Sequence, residues 1–404
     1  MEVIILFFIY VHMMFEATEC IFLVSVLIIL YTYAGYPLLL SILVKIKYLL
    51  KRPAQPVGEH ILQPVTLIVA AFNEESIIEE KIRNTLSLDY PAHLLHLLFI
   101  TDGSTDKTSS IVAGYPNITL LHQEERRGKL AAMNRAMQFV KTPFAIFSDA
   151  NGMLNNDAVK KLMAHYTDAK VGGVAGEKKI MKQAAGTVSA GEGAYWRYES
   201  AIKKLDARLH TVVGAAGELF SIRTDLYKPL RENIIIEDFV QSLLLCMEGY
   251  VVRYEPAAWS EEKASPALAD EIERKVRISA GGFQAMAKLA GILNVFRYPV
   301  LFFQYFSHRV LRWTFCPLAL ITAFFSAFSL FGAGYDSFYI FAAIGQAVFY
   351  ALAIAGWALA ANGRKILLFY FPFYFLMMNF CVFAGFFRFL SGGQQQAWKK
   401  AART

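Results

Sequence analysis

Cysteine is scarce, with four in 404 residues. Cys20, Cys246, Cys316 and Cys381 have no metal-ligand spacing, and three of them lie in or beside apolar runs, so neither a zinc site nor a disulfide framework is indicated. Charged residues are also few, at 18%. No charge at all occurs from Cys20 to Val44. The chain has no G-x-x-x-x-G-K phosphate loop, no H-E-x-x-H zinc helix and no G-x-S-x-G nucleophile elbow, which removes P-loop, zincin and serine-hydrolase chemistry. Between residues 64 and 284 there is no internal repeat, low-complexity tract or Ser/Gly linker, so that stretch reads as one domain of ordinary size. The excess of 40 basic over 33 acidic residues gives a formal charge of +7 and suggests an anionic partner. With no aromatic-basic RNA motif present, that charge is assigned to membrane flanks, and nucleic acid is excluded as a partner.

What is abundant is apolar. A mean hydropathy of +0.38 and 33 phenylalanines are too high for an ordinary soluble enzyme, while the middle of the chain is too charged for a pure membrane bundle. The uncharged run from Cys20 to Val44 is long enough to cross about 30 Å of hydrocarbon. Lys45, Lys47, Lys51 and Arg52 follow it and predict that the next segment starts in the cytoplasm. The stretch from Val3 to Phe15 is too short to count as a span. Trp313 to Phe331, Phe338 to Ala361 and Ile366 to Phe387 read as three more, with GAGYDS outward and the loop carrying Arg364 and Lys365 inward. Three spans leave Lys399, Lys400 and Arg403 outside, against the positive-inside tendency. Ala285 to Arg312, with Lys288, Arg297, His308, Arg309 and Arg312, reads as amphipathic helices lying in the lipid interface. The expected plan is a membrane region over 1–52, a catalytic domain over 53–284, interfacial helices over 285–312, membrane helices over 313–390 and a tail over 391–404. It describes a multi-pass protein of the inner or plasma membrane.

Within the central region, apolar runs such as VTLIVAA, HLLFI, ITLLH and FAIFS alternate with helical patterns, which argues for βαβ units and a mainly parallel sheet. Chemistry-bearing residues cluster where these strands end, the edge at which open α/β sheets bind ligands. TDGSTDKT puts Asp102 before a tight turn, FAIFSDAN puts Asp149 and Asn151 after a strand, and IIEDF puts Glu237 and Asp238 at a helix start. Two adjacent acids raise each other's pKa and suit a general base, although a helix N-cap explains the same pair. In AAFNEE, Asn73 is a good cap and Glu74 and Glu75 suit a helix N-terminus. In HQEERRGKLAAMN, Lys129 at a helix start is badly placed for the dipole and needs an anionic partner, unless the run is simply a solvated charge cluster. Gly214 and Gly217 of HTVVGAAGELFSIR mark a small-residue turn.

These motifs, in this order, resemble the membrane-bound family 2 glycosyltransferases, the group containing the hyaluronan, chitin, cellulose and poly-N-acetylglucosamine synthases. The resemblance covers about Pro64 to Gln284 with the flanking membrane segments. It implies the GT-A nucleotide-sugar fold, with Phe72 beside the base, Glu74 near the ribose, Asp102 on the nucleoside side and Lys129 on the diphosphate. It also implies Mg²⁺ or Mn²⁺ at Asp149 and Asn151, although the group carries an acid where Asn151 stands. Asp238 matches the base that deprotonates the acceptor, Glu237 its neighbour, and Gly214 and Gly217 the acceptor-sugar path. In ERKVRISAGGFQ the group's Gln-x-x-Arg-Trp departs: Arg277 keeps the guanidinium for the leaving diphosphate, and Ile278 replaces the tryptophan on which an acceptor sugar stacks. The implied function is inverting, metal-dependent transfer from a nucleotide sugar, UDP-linked by resemblance, to a growing poly- or oligosaccharide. A single transfer to a lipid-linked acceptor is the alternative, and an inactive membrane scaffold a third reading that the survival of Asp102, Asp149 and Asp238 disfavours.

Overall fold

The computed structural model describes residues 2–50, 62–181, 188–263, 267–332, 336–364 and 366–392. Lys51, Arg52, Lys365, Lys399, Lys400, Arg403 and half of the GAGYDS loop, on which the topology reading leaned, lie outside the described residues.

The chain begins with helices α1 (Glu2–Leu30) and α2 (Tyr36–Leu50), joined without a break by a π-helical turn at Tyr31–Gly35. The central domain then runs β1 (Val65–Ala71), α3 (Ile78–Leu86), β2 (Leu95–Asp102), α4 (Thr108–Ala113), β3 (Ile118–Gln123), α5 (Lys129–Met137), β4 (Phe144–Asp149), β5 (Met153–Leu154), α6 (Ala158–Met163), β6 (Val171–Ile180), α7 (Val188–Leu209), β7 (Leu219–Arg223), α8 (Glu237–Met247) and β8 (Val251–Glu262). After it come α9 (Leu268–Lys288), the short α10 (Pro299–Tyr305) and α11 (Leu311–Trp313), then α12 (Phe315–Gly332), α13 (Ser337–Ala361) and α14 (Leu367–Leu390).

The strands form one mixed sheet in the order β3-β2-β1-β4-β7-β6-β8-β5. The first four are parallel, and β7 enters antiparallel between β4 and β6. Side chains alternate across the pleat: Val65, Leu67 and Val69 of β1 pack into one apolar cluster and Ile68 into the other, so the sheet is covered on both faces. Register fixes the edge that matters. Ala71 of β1 pairs with Thr101 and Ala70 with Asp149, so β2 and β4 deliver Asp102 and Asp149 to the same rim.

Among the described residues, four helical stretches are long and apolar enough to cross a membrane: His12–Leu50, Phe315–Gly332, Ser337–Ala361 and Leu367–Leu390. The first corrects two expectations. Val3–Phe15, too short to count alone, is the start of the same helix, and the run from Cys20 to Val44 is not wholly available to lipid. Tyr36, Leu40 and Val44, spaced four apart on one helical face, are buried, and the first two pack with Ile202 of α7. At about 1.5 Å per residue, the 39-residue helix spans more than the bilayer needs, and its excess docks on the domain. Lys47 there donates to the terminal carbonyls of Arg208 (2.9 Å) and Leu209 (2.6 Å), closing the end of α7.

The 285–312 region also differs from the interfacial reading. His308, Arg309 and Arg312 are buried and carry protein partners. A cation withdrawn from water needs a fixed counter-charge, and here Glu199 and Asp206 of α7 supply it. Lys288 and Arg297 alone of the five stay exposed.

Candidate active site

The rim of the sheet and the starts of α5 and α8 converge on a cavity of about 780 Å³. Lys129, Asp149, Gly217, Glu237, Asp238 and Arg277, six residues singled out from sequence, all line it. Lys129 is the hub. Its ammonium lies 2.6 Å from Asp149 and 3.3 Å from Glu237. Burial alone would lower its pKa, but the two carboxylates, with Asp238 beyond, hold it well above the ordinary lysine value. The anionic partner that Lys129 requires is thus supplied by the protein itself.

Asp238 stands in the first turn of α8, half-buried at the cavity. Burial and the neighbouring Glu237 push its pKa up to about 7, against the opposing pull of Lys129. A carboxylate with that proton affinity accepts a proton near neutrality and keeps it, as general-base work requires. A Cβ on Gly217 would sit 3.1 Å from the Lys129 ammonium and 3.4 Å from a carboxylate oxygen of Asp238. The glycine therefore leaves room for a substrate directly against the base.

Gly214 does something else. With φ at +87° and the Phe239 ring where a Cβ would stand, it permits the turn to pack on the residue following Asp238, and it does not line the cavity. Its contribution is to seat α8.

Asp102 is buried at the end of β2. One carboxylate oxygen accepts from the backbone amides of Arg127 (3.1 Å) and Gly128 (2.6 Å), tying down the turn that launches Lys129. Its other oxygen is buried with no hydrogen-bond partner among the described residues, which leaves an acceptor for a bound group. Phe72 carries the Arg126 guanidinium 3.7 Å above its ring, a stacked arrangement that also suits a flat base. Glu74 is buried, its amide donating to Thr108 at 2.8 Å. Phe72, Glu74 and Asp102 flank the cavity along the sheet rim without lining it, and so does Asn151 in the turn after Asp149.

The turn holding Asp149 rests on a residue that sequence reading missed. Lys81 of α3 is fully buried, donating to Ser148 at 2.7 Å and to the Gly152 carbonyl, and burial pulls its pKa down to about 7. No local pattern betrays it, because its partners lie 67 and 71 residues away. Glu218 was missed too: it lines the cavity beside Gly217, and Lys178 outweighs its burial and holds it down to about 2. Arg277 is brought in from α9, with burial lowering its pKa. Ile278 also lines the cavity, and so do Trp196 from α7 and Trp313 from α11. The aromatic surface absent at position 278 is supplied from other elements.

A family model described as glycosyl transferase family 2 matches residues 66–230. Over those residues the chain carries a family 2 glycosyltransferase domain. Among curated relatives, it is 24% identical over 287 residues to the poly-beta-1,6-N-acetyl-D-glucosamine synthase of Staphylococcus aureus (strain COL), with 68% of each chain covered. The synthase of the same name from Staphylococcus epidermidis is 22% identical over 238 residues, with 56% of each covered. Among solved structures, a mannosyltransferase from Pyrobaculum calidifontis, in complex with GDP-Man and Mn²⁺, superposes with a TM-score of 0.68 at 21% identity, covering 92% of this chain and 99% of that one. That likeness shows the fold, a GT-A-like α/β domain with apolar helices at both ends. Within the glycosyltransferase family, the sequence relatives fall in the polysaccharide synthase group.

Proposed function

We propose that this glycosyltransferase moves a sugar from a nucleotide sugar, UDP-linked by analogy with the synthase group, to a hydroxyl of a saccharide growing at the membrane, with inversion at the anomeric carbon. The observation that carries the reading is the continuity of the cavity. Asp149 and Asp238 line one end of it, while Tyr33 of the first helix and Phe375 and Met378 of α14 line the other. An acceptor arriving from the membrane side meets the base directly.

In this reading the nucleotide lies along the rim at Phe72, Glu74 and Asp102, and Lys129 and Arg277 face its diphosphate. Asp238 takes the proton from the acceptor hydroxyl as that oxygen attacks the anomeric carbon, and the nucleoside diphosphate leaves from the opposite face. One displacement inverts the centre. Asp149 is a hard oxygen donor at a strand end and already faces a cation, the Lys129 ammonium. That chemistry fits Mg²⁺ or Mn²⁺, which keeps several waters and takes one or two carboxylates with phosphate oxygens. Asp149, with Asn151 close behind, would hold the ion, and its charge would stabilise the departing diphosphate.

A second reading, that the saccharide is carried on a lipid, is favoured by the apolar far end. Leu30, Leu367 and Phe371 line the cavity and are also 58%, 64% and 63% exposed, so the cavity reaches the outer faces of α1 and α14. The test is product analysis by mass spectrometry and NMR with the full chain in nanodiscs, UDP- and GDP-sugars as donors, and free or polyprenyl-linked oligosaccharides as acceptors. Metal-dependent transfer giving an inverted linkage is expected. Retention of configuration, or turnover untouched by chelator, would overturn the reading.

A further inference from the structure

We infer that the membrane-side end of the cavity holds a phosphate group of the acceptor lipid, bound by Arg312 and Lys203. This rests on the lipid-carried reading above and names the chemistry of the carrier.

Arg312, on α11, is 8% exposed and lines the cavity. Its Nη1 donates to Glu199 at 2.9 Å. Its Nε and Nη2 are buried with no hydrogen-bond partner among the described residues. The Tyr198 hydroxyl donates to the Tyr33 carbonyl at 2.8 Å, and its oxygen faces the Arg312 guanidinium as a neutral acceptor that a phosphate oxygen would outcompete. Two buried donors of a guanidinium left unmade are costly, and paired N–H groups of that kind match the oxygens of a phosphate.

Lys203 is the second observation. It stands one helical turn after Glu199 on α7, is 5% exposed, lines the same cavity and has no acid within ion-pair distance among the described residues. Trp196 lies 5.8 Å from its ammonium, which is weak compensation for a buried charge. Glu199, the nearest acid of the group, is already committed to Arg309 at 2.6 Å and Arg312 at 2.9 Å. Arg309 and Arg312 thus share one carboxylate, with Lys203 a turn away and Glu218 and Glu177 acting on it only beyond ion-pair distance, and the positive side of the group faces the cavity. An anion entering here is attracted, and one whose tail is apolar also covers the exposed side chains at the mouth. Asp206 does not cancel the excess, because it is engaged by His308 at 2.7 Å and Tyr36 at 2.5 Å.

A neutral saccharide chain has no use for such a site, whereas a polyprenyl phosphate or diphosphate does. The site is separate from the diphosphate site proposed for the donor, which is the Lys129 and Arg277 end.

The test measures binding of polyprenyl phosphate, the neutral polyprenol of equal length, and inorganic phosphate to the full chain in detergent by native mass spectrometry. UDP affinity is measured alongside as a readout of the folded donor site. Polyprenyl phosphate should bind at least about tenfold more tightly than polyprenol, as charge-assisted hydrogen bonds predict. Lys203→Met and Arg312→Gln should each erase most of that difference, with polyprenol binding and UDP affinity unmoved. Arg312→Lys should restore part of it. Inorganic phosphate binding that is lost in the same variants would assign the site to the headgroup alone and still support the anion assignment. Should Arg312→Gln fail to fold, Lys203→Met decides. Equal affinity for the phosphate and the alcohol in the unmodified protein, or an unchanged difference in Lys203→Met, overturns the inference. Phosphate-dependent binding without any sugar transfer to the lipid would keep the site and refute the lipid-carried reading instead.

Discussion

The two ends of the cavity handle charge by different means. At the sheet rim, Asp149 and Lys129 are delivered by a strand end and a helix start, stay partly open to solvent at 21% side-chain exposure each, and are paired so that an incoming substrate can re-pair them. At the membrane end, Glu199, Arg309, Arg312, His308 and Asp206 are buried and locked across 102 to 113 residues of chain, joining α7 to the segment before α12. In the proposed reaction the first arrangement exchanges partners during turnover. The second ties the catalytic domain to the apolar helices and leaves Arg312 and Lys203 with capacity to spare. Fixed and exchangeable ion networks therefore sit within one cavity, and variants at each should fail in different ways.

The largest expected effect is at the rim. Asp149→Ala should cut turnover by at least about 10³-fold, since a bound metal supplies several kcal/mol of charge stabilisation, while leaving thermal unfolding nearly unchanged. Steady-state assays with calorimetric UDP titration in Mg²⁺ check both halves. Glu199→Gln should do the reverse. Removing the carboxylate that the buried Arg309 and Arg312 share should cost about 3–5 kcal/mol of stability, seen as a lowered unfolding temperature in detergent, with donor affinity in the surviving folded protein preserved. If the Asp149 variant melts early or the Glu199 variant stays stable, the distinction between exchangeable and fixed networks fails.

A smaller effect sharpens the rim itself. Because burial and Glu237 push Asp238 up to about 7 and the proposed base works deprotonated, kcat/KM should rise with pH through that value and level off above it. Its stability contribution has the opposite sign: the folded carboxyl holds its proton where the unfolded one has released it, so stability declines as pH rises from the ordinary aspartate value to about 7. Glu237→Gln removes a cause of the upward shift and should move the activity limb to lower pH. An immobile limb would place the titrating group elsewhere.

The rim was legible in the sequence because each of its residues follows a local signal. An apolar run that stops at an acid, as in FAIFSDAN, names a strand end, and IIEDF names a helix start; the parallel register then sets Asp149 at the rim. Lys129 was legible as a misplaced cation, though not its partners. The membrane wall was hidden for a reason of the same kind. His308, Arg309 and Arg312 recur with the spacing of an interfacial helix, and composition cannot separate a basic face turned to lipid from one buried on acids a hundred residues earlier. Tyr36, Leu40 and Val44 mislead similarly, since an apolar run reads alike whether it meets lipid or α7. Lys81 is the extreme case, a lysine in an amphipathic helix whose role comes only from the turn folded above it.

The central claim is that Asp238 is the proton acceptor for a hydroxyl arriving through the cavity. Asp238→Asn keeps the shape and removes the basicity, so its turnover number and UDP dissociation constant, measured on one nanodisc preparation, test that claim most directly. The account predicts that turnover falls by about 10²- to 10⁴-fold while the UDP constant stays within about twofold of the unmodified protein's. Parallel loss of UDP affinity, or turnover that survives, would contradict it.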